Sequence, residues 1–376
     1  MTDLRVLVVM PLGEPLGGGE MMFRQLMRYG TEYGVEWIAA FTQEGPTVAE
    51  VRAFGIETHL VRVGLRRRLS SHWRATRALA ALAKERQVSL IVGWTASAQL
   101  LAGPAAWIAD IPCAWCQIAL PRPDWLDRIA TLLPARGVLV PSEQIAAAQA
   151  RVRPRRAQRL VFPGASLDRF DAVQSESPTA LRARFGLPAA GPLIGMVGRL
   201  HHQNGMPVAI EAMPEVRERH PQAHLVIVGG AHDPESQCEP ELRTLVARLG
   251  LESAVTFAGF QSDLPRWMQA MDIVVHFSDR EPLGRVVIEA MALGKPVIAG
   301  AAGGPTEIIT SGVDGLLAPF DDPAALAARI NCFLDEPELA LRCGTAARVR
   351  AADFSAERYA KGVSEAVLSF ALAEEA

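Results

Sequence analysis

Two glutamates flank a glycine in a segment whose residue types suit the binding of a phosphorylated ligand. Glu281 lies in the loop just before Gly284, and Glu289 lies about a turn and a half into the helix predicted to begin there. Pro282 keeps a helix from starting earlier, and the glycine lets backbone come close to a ligand. The N–H groups at the start of the predicted helix then form an anion site suited to a diphosphate. The two carboxylates can accept charge-assisted hydrogen bonds from sugar hydroxyls on one side and ribose hydroxyls on the other.

A second glycine turn strengthens this interpretation. Acidic residues are common at helix starts because the helix dipole favours them, so either glutamate alone would decide little. Gly303 and Gly304 precede Thr306 and Glu307, where another helix is predicted to open. The combination of both turns with the paired carboxylates favours a ligand site over two unrelated helix starts.

The elements that position these residues follow from the alternation of short β-branched runs with helical stretches, which predicts parallel sheets with crossover helices. The predicted strands are Arg5–Met10, Val35–Phe41, Thr58–Val61, Leu90–Val92, Ala114–Ile118, Gly137–Val140, Leu193–Val197, His224–Val228, Val255–Phe257, Ile273–His276 and Pro296–Ile298. The stretch Pro163–Pro192 is rich in Pro, Ser, Ala and Gly and is predicted to hold the linker. The predicted domains are an N-terminal unit over residues 1–170, a linker region over 171–190, a C-terminal unit over 191–355 and a final helix over 356–376.

The composition of the chain limits the kinds of protein that it can be. The 376 residues are 49% hydrophobic, enough for two cores, and no run approaches the ~20 apolar residues of a membrane span. The first residues lack the pattern of a secretory signal, so a cytoplasmic location is expected. Residues 1–170 contain 21 Lys and Arg against 14 Asp and Glu, whereas residues 171–376 contain 17 against 27. This asymmetry predicts different partners for the two halves.

The basic residues of the first half fall into two runs, Arg62–Arg77 and Arg151–Arg159. Residues 65–86 have the pattern of a basic amphipathic helix. Such a helix can lie on an anionic membrane, at the inner membrane face, through Arg66, Arg67, Arg68 and Arg74. A solvated helix face is the simpler interpretation. Nucleic acid is disfavoured because the whole chain is acidic and no binding motif surrounds the arginines.

Cysteine usage indicates a reducing compartment. The chain has five cysteines, an odd number that does not suit a disulfide framework. Cys113 and Cys116 form a C-x-x-C, which leaves redox or zinc chemistry open as an alternative. Their apolar neighbours favour buried structural thiols.

The segment 281–309, EPLGRVVIEAMALGKPVIAGAAGGPTEII, resembles the signature of retaining glycosyltransferase family 4. GMVGRLHHQNG at 195–205, LVIVGG at 225–230 and VTFAGF at 255–260 are similar to other landmarks of that family, and GGGEMM at 17–22 resembles its glycine loop. The resemblance implies the GT-B fold, in which two Rossmann-like, doubly wound parallel-sheet domains face each other across a cleft. It also implies a final helix that crosses back to the N-terminal domain.

The resemblance implies a role for each matching position. Glu281 would hold the donor sugar, and Glu289 would hold the ribose. Arg199 would add positive charge beside the departing diphosphate. The backbone groups expected to bind the diphosphate belong to Gly18, Gly19, Leu283, Gly284 and Arg285, and the base is expected at Phe260 and Gln261.

The chain departs from the family pattern in two places. Asn204 stands where a diphosphate-binding lysine is usual, and an amide does not supply that charge; His201 or His202 are the candidates to compensate. The family commonly offers a histidine near the donor sugar, whereas the corresponding regions here contain Trp94, Trp115, Cys116 and Gln117. These aromatic residues either stack on a sugar or belong to the core.

The expected function is transfer of a sugar from a UDP- or GDP-sugar to a glycan, lipid-linked or small-molecule acceptor. The resemblance implies retention of configuration by front-face substitution, without a bound metal or other cofactor. Two alternatives remain: a nucleotide-sugar-binding protein without turnover, and another GT-B enzyme such as a nucleotide-sugar epimerase or a phosphorylase.

Overall fold

The structure is a computed structural model that describes residues 4–14, 18–64, 69–121, 125–153, 155–201, 204–230, 237–278 and 284–373. The chain divides into two compact units. The first consists of Met1–Gly164 together with Ala356–Ala376, and the second of Ala165–Ser355.

Within the described residues, seven parallel strands form the sheet of the first unit in the order β3-β2-β1-β4-β5-β6-β7. The strands are β1 (Leu4–Met10), β2 (Val35–Phe41), β3 (Glu57–Leu60), β4 (Leu90–Gly93), β5 (Cys113–Cys116), β6 (Gly137–Val140) and β7 (Ala157–Leu160). Central strands such as β1 are nearly continuous apolar runs because helices cover both faces of a parallel sheet.

Helices connect these strands. They are α1 (Gly18–Tyr29), α2 (Pro46–Ala53), α3 (Leu69–Glu85), α4 (Ala96–Ala109), α5 (Trp125–Leu132) and α6 (Glu143–Val152). Local side chains cap α4 and α6. The hydroxyl of Thr95 accepts a hydrogen bond from the Ala98 N–H at 3.1 Å and begins α4. Ser142 caps α6 in the same way, through the Ile145 N–H. Each cap satisfies one of the donors that a helix start leaves open.

The last helix of the chain, α16 (Ala356–Leu372), completes the core of the first unit. Its side chains Tyr359, Val363, Val367 and Phe370 are buried at helical spacing, and the helix packs on β4, β5 and β6. A Cβ at Gly137 would lie 1.9 Å from the Phe370 ring, so glycine in β6 is what lets that ring pack on the sheet.

Six parallel strands form the sheet of the second unit within the described residues, in the order β10-β9-β8-β11-β12-β13. The strands are β8 (Leu193–Val197), β9 (His224–Val228), β10 (Val255–Gly259), β11 (Ile273–His276), β12 (Val297–Gly300) and β13 (Leu316–Ala318). The helices are α7 (Asp168–Asp171), α8 (Pro178–Arg184), α9 (Met206–Arg219), α10 (Cys238–Arg248), α11 (Leu264–Ala270), α12 (Arg285–Ala292), α13 (Pro305–Ile308), α14 (Pro323–Asp335) and α15 (Pro337–Ala351).

The predicted α/β class with two doubly wound parallel sheets is confirmed. Residues 171–190, predicted as a linker, lie within the second unit, where α8 packs on α11. Arg182 is buried there and forms an ion pair with the Asp272 carboxylate at 2.7 Å, and the Phe185 ring stacks on Trp267 with ring centroids 4.2 Å apart. The chain passes between the units at Gly164 and again at Ser355.

Candidate functional site

The order of strands locates a ligand site in each sheet. In open parallel sheets, ligands bind beyond the carboxyl ends of the strands at the point where the strand order reverses. In the second unit this point lies between β8 and β11, which pair through Ile194 and Ile273. The loop after β8 contains Arg199 and Asn204, and the loop after β11 leads to Gly284. The sheet therefore brings these predicted residues to one edge.

Close backbone contacts fix the shape of this edge. A Cβ at Gly229, which follows β9, would lie 1.7 Å from the carbonyl oxygen of Gly198, which follows β8. A Cβ at Gly205 would lie 2.6 Å from the Cβ of Phe277, which follows β11. Side chains at these glycines would force the three loops apart. Sequence reasoning assigned no role to these glycines, although they fall within the quoted segments 195–205 and 225–230.

The helix start predicted from Gly284 is present. Gly284 has a left-handed conformation (φ 94°, ψ 58°), and its carbonyl accepts a hydrogen bond from the Val287 N–H at 2.9 Å. Arg285 is the first residue of α12, and its Nη2 donates to Glu289 Oε1 at 2.6 Å. Glu289 is buried, so its carboxylate is held in one place by this ion pair. Glu281 and Leu283 lie outside the described residues.

Asn204, at the position where a lysine was expected, does not supply the positive charge of a lysine. Its side-chain Nδ2 donates to the backbone carbonyl of Arg199 at 2.7 Å, which closes the loop after β8 onto itself. The amide therefore shapes the loop. The Arg199 side chain is exposed to solvent at the same edge, and its charge is available to an anion. His201 is also exposed, and His202 lies outside the described residues.

Phe260 and Gln261 follow β10 and differ in what they offer a ligand. The Phe260 side chain is 81% exposed, an unusual condition for a phenylalanine and a favourable one for stacking on a planar base. A Cβ at Gly230 would lie 3.4 Å from the Phe260 Cβ, so the loops after β9 and β10 touch. Gln261 Nε2 donates to the Ala258 carbonyl at 2.6 Å and so stabilises its own turn.

In the first unit, Gly18 and Gly19 begin α1 at the carboxyl end of β1. The carbonyl of Gly19 accepts a hydrogen bond from Trp94 Nε1 at 2.9 Å, and a Cβ at Gly19 would lie 2.2 Å from Ile118 Cδ1. Trp94 and Trp115 have no exposed surface. The hypothesis that these aromatic rings stack on a sugar is therefore wrong, and the core interpretation is right.

The C-x-x-C sequence lies on strand β5, which separates its two thiols. Residues three apart on a strand point to opposite faces of the sheet, and Cys113 and Cys116 accordingly belong to different core clusters. Burial raises the pKa of each thiol to about 12. The redox and zinc interpretations of this pair are wrong because the sulfurs cannot meet.

Thiol labelling tests this arrangement. All five cysteines are within the described residues, and Cys332 is the one that is not buried. At pH 8 a thiol with a pKa of about 12 is ionised to roughly one part in ten thousand, so Cys113 and Cys116 should not react in the folded protein. We expect an aromatic disulfide reagent to modify Cys332 first, and Cys332→Ser to remove that phase. Rapid reaction of Cys116 in the folded protein would contradict the burial.

The predicted basic helix contributes its apolar side to the core. In α3, Ala75, Leu79 and Ala83 are buried against the first sheet and α4. Arg74 is exposed, whereas Arg66, Arg67 and Arg68 lie outside the described residues. Across the described ranges, no helix has the length and apolar character needed to cross a bilayer.

Comparison with known proteins connects these features to a family. Residues 178–350 match the family described as glycosyl transferases group 1. The D-inositol 3-phosphate glycosyltransferase of Streptomyces scabiei is 34% identical over 212 residues, which are 55% of this chain and 47% of that protein. The chain thus spans about half the length of the curated relatives it matches.

Two solved structures cover nearly the whole chain. Anabaena Alr3699/HepE in complex with UDP-glucose is 25% identical, with a TM-score of 0.81 over 97% of this chain and 100% of that chain. A glycosyltransferase from Rickettsia africae is 19% identical and has a TM-score of 0.86, with 100% of both chains covered. From the match at residues 178–350 we conclude that this stretch, most of the second unit, belongs to the group 1 glycosyltransferases, and the two parallel sheets together with the likeness to these structures show that the chain has the GT-B fold.

Proposed function

We propose that the protein transfers a sugar from a nucleoside diphosphate sugar, with UDP as the leaving nucleotide. The main support for this proposal is the start of α12. There the left-handed Gly284 begins a helix at the point where the strand order reverses, and Glu289 is buried in the same helix. The first N–H groups of a helix have no partner within that helix and favour anions. The complex of HepE with UDP-glucose supports uridine over guanosine as the base.

The described side chains supply the remaining donor contacts of this proposal. Phe260 offers an exposed ring for the base, and Glu289 offers a fixed carboxylate for the ribose hydroxyls. Arg199 provides a cation for the negative charge that grows on the diphosphate as the sugar leaves. Glu281, which lies outside the described residues, is assigned to the sugar hydroxyls, and the assignment of Gly18 and Gly19 to the diphosphate stays a prediction.

The finer parts of the proposal concern stereochemistry and acceptor. We propose retention of configuration by front-face substitution, in which the leaving phosphate accepts the proton of the acceptor hydroxyl. Arg199 supplies positive charge to the leaving diphosphate, so the proposed reaction requires no bound metal. The acceptor is a polyol or glycan, a choice supported by the relative named for D-inositol 3-phosphate.

A second candidate function is binding of a nucleotide sugar without turnover. It is favoured by one observation: the Asn204 amide is bonded to the Arg199 carbonyl and supplies no charge to a diphosphate. A donor panel separates the two. UDP-sugars and GDP-sugars are incubated with polyol and glycan acceptors, and released nucleotide is measured with EDTA present, followed by NMR of the anomeric proton of the product. Affinity for the donor without nucleotide release from any pair would favour the binding protein.

The Glu289→Gln variant tests the assigned ribose contact. We expect this substitution to weaken UDP about tenfold, because an amide replaces the charged acceptor of the ribose hydroxyls. The sharper measurement is calorimetry with UDP and 2′-deoxy-UDP. The unsubstituted protein should prefer UDP, and Glu289→Gln should lose most of that preference.

Glu252→Gln is the matched control, since Glu252 is exposed on the same unit and away from α12. It should leave both affinities unchanged. If Glu289→Gln kept the full preference for UDP over 2′-deoxy-UDP, Glu289 would not contact that hydroxyl.

A further inference from the structure

A cavity of about 830 Å³ lies on the first unit, in a place that the proposed function does not use. Its walls come from the end of α4 and from the segments that precede β5, β6 and β7. These are the amino ends of the strands. The donor and acceptor sites of the fold lie beyond the carboxyl ends, about 13 Å away along a four-residue strand. The cavity is therefore separate from the site described above, and its size is that of a small-molecule site, ~300–1,000 Å³.

The walls of the cavity are strongly basic. Among the described residues that line it, Arg136, Arg153, Arg155 and Arg156 are cationic and Asp110 is the single acid. The arginines come from two separate segments, so the chain fold and not the basic run alone gathers them. This excess of positive charge suits a ligand with at least two negative charges.

Three of the four guanidinium groups are fixed by backbone. Arg136 Nη1 donates to the carbonyls of Phe370 and Ala371 at the end of α16, and Arg156 Nη2 donates to Leu133 just after α5. Arg153 contacts carbonyls at the end of α5. Carbonyl oxygens are neutral, so these contacts orient the guanidinium groups without cancelling their charge.

The surroundings of Arg156 disfavour its charged form. Burial, and after it the neighbouring Arg153, lowers the pKa of Arg156 to about 10. Its Nη1 is buried and donates no hydrogen bond within the described structure. An anion in the cavity would relieve the repulsion between Arg153 and Arg156. Preorganised donors of this kind lose little entropy when they bind.

The cavity also offers groups that suit a ring. The Trp107 side chain lines it and is 75% exposed, and Asp110 presents a carboxylate from the end of α4. An exposed indole stacks on the apolar face of a sugar ring, and a carboxylate accepts hydrogen bonds from sugar hydroxyls. We propose that this cavity binds a sugar phosphate, with the phosphate among the arginines and the ring on Trp107. The site is independent of donor binding and of turnover.

Calorimetry on the full chain tests this site. The protein is first saturated with UDP to occupy the donor site and is then titrated with glucose 6-phosphate, glucose or inorganic phosphate. We expect glucose 6-phosphate to bind more tightly than inorganic phosphate, and glucose to bind least. Arg155 is exposed and makes no backbone hydrogen bond within the described part of the chain, and Arg155→Gln should weaken binding of glucose 6-phosphate about tenfold. Trp107→Ala should weaken glucose 6-phosphate but not inorganic phosphate.

Arg151→Gln is the matched control. Arg151 belongs to the same basic run and is exposed, but it does not line the cavity, so this variant should bind as the unsubstituted protein does. Binding of glucose 6-phosphate that is unchanged in both Arg155→Gln and Trp107→Ala would overturn the proposal. So would Arg155-dependent sedimentation with vesicles of anionic phospholipid in the absence of glucose 6-phosphate binding, because the surface would then be a membrane contact.

Discussion

The Glu281→Gln variant is expected to fold normally and to transfer sugar about 10²–10³ times more slowly than the unsubstituted protein. Glu281 is the carboxylate that we propose to hold the donor sugar while the diphosphate leaves. A glutamine of the same size keeps one acceptor oxygen but loses the charge, so its bonds to the sugar hydroxyls are weaker in the transition state. Initial rates of nucleotide release with a saturating acceptor give this ratio.

The affinity for UDP separates this role from a general disturbance of the site. UDP lacks the sugar, so Glu281→Gln should bind UDP about as tightly as the unsubstituted protein while binding and using UDP-sugars poorly. A transfer rate equal to that of the unsubstituted protein would remove Glu281 from the proposal. An equal loss of UDP and UDP-sugar affinity would place its effect on the diphosphate or the loop.

The Gly229→Ala variant is expected to lose about 3 kcal/mol of unfolding free energy in the second unit. The new methyl group would lie 1.7 Å from the Gly198 carbonyl oxygen. Neither a Cβ nor a backbone carbonyl can turn away by a rotamer change, so the loops after β8 and β9 must separate. That movement shifts Arg199 with its loop, and we expect UDP affinity to fall as well. Denaturant unfolding and UDP calorimetry on the same preparation measure both effects.

Gly312→Ala is the control for this variant. Gly312 also has a positive φ, 84°, but no atom lies within 4 Å of the position of its Cβ. Its cost is backbone strain alone, about 1 kcal/mol, with no change in UDP affinity. A loss in Gly229→Ala no greater than that in Gly312→Ala would show that the two loops are free to separate.

The sequence predicted most of both sheets because parallel strands are buried on two faces and therefore stand out as apolar runs. The predicted bounds of Val35–Phe41, Leu193–Val197 and Ile273–His276 agree with the structure. Two edge strands were not predicted. β7 (Ala157–Leu160) is largely exposed and polar, and β13 (Leu316–Ala318) has only three residues, so neither has the apolar run that reveals a strand.

Some contacts of the candidate site could be predicted from the sequence, and others could not. The contact between Arg285 and Glu289 follows from helical spacing, since residues four apart share one helix face. The hydrogen bond from Asn204 to the Arg199 carbonyl could not be predicted from residue spacing, because it depends on the path of the loop after β8. The burial of Trp94 was equally beyond sequence patterns, since it depends on α1 folding against β4. The arginine cavity joins Arg136 to Arg156 by tertiary packing alone.

The return of α16 to the first unit has a consequence for biosynthesis. Tyr359, Val363, Val367 and Phe370 fill the first core, yet they leave the ribosome only after the whole second unit has been made. Until then the nascent first unit exposes an apolar surface over β4, β5 and β6, and such surfaces attract chaperones or aggregate. The second unit is continuous in the chain and can fold without waiting for later residues. The amino-terminal unit therefore completes its folding last, although it is the first to leave the ribosome.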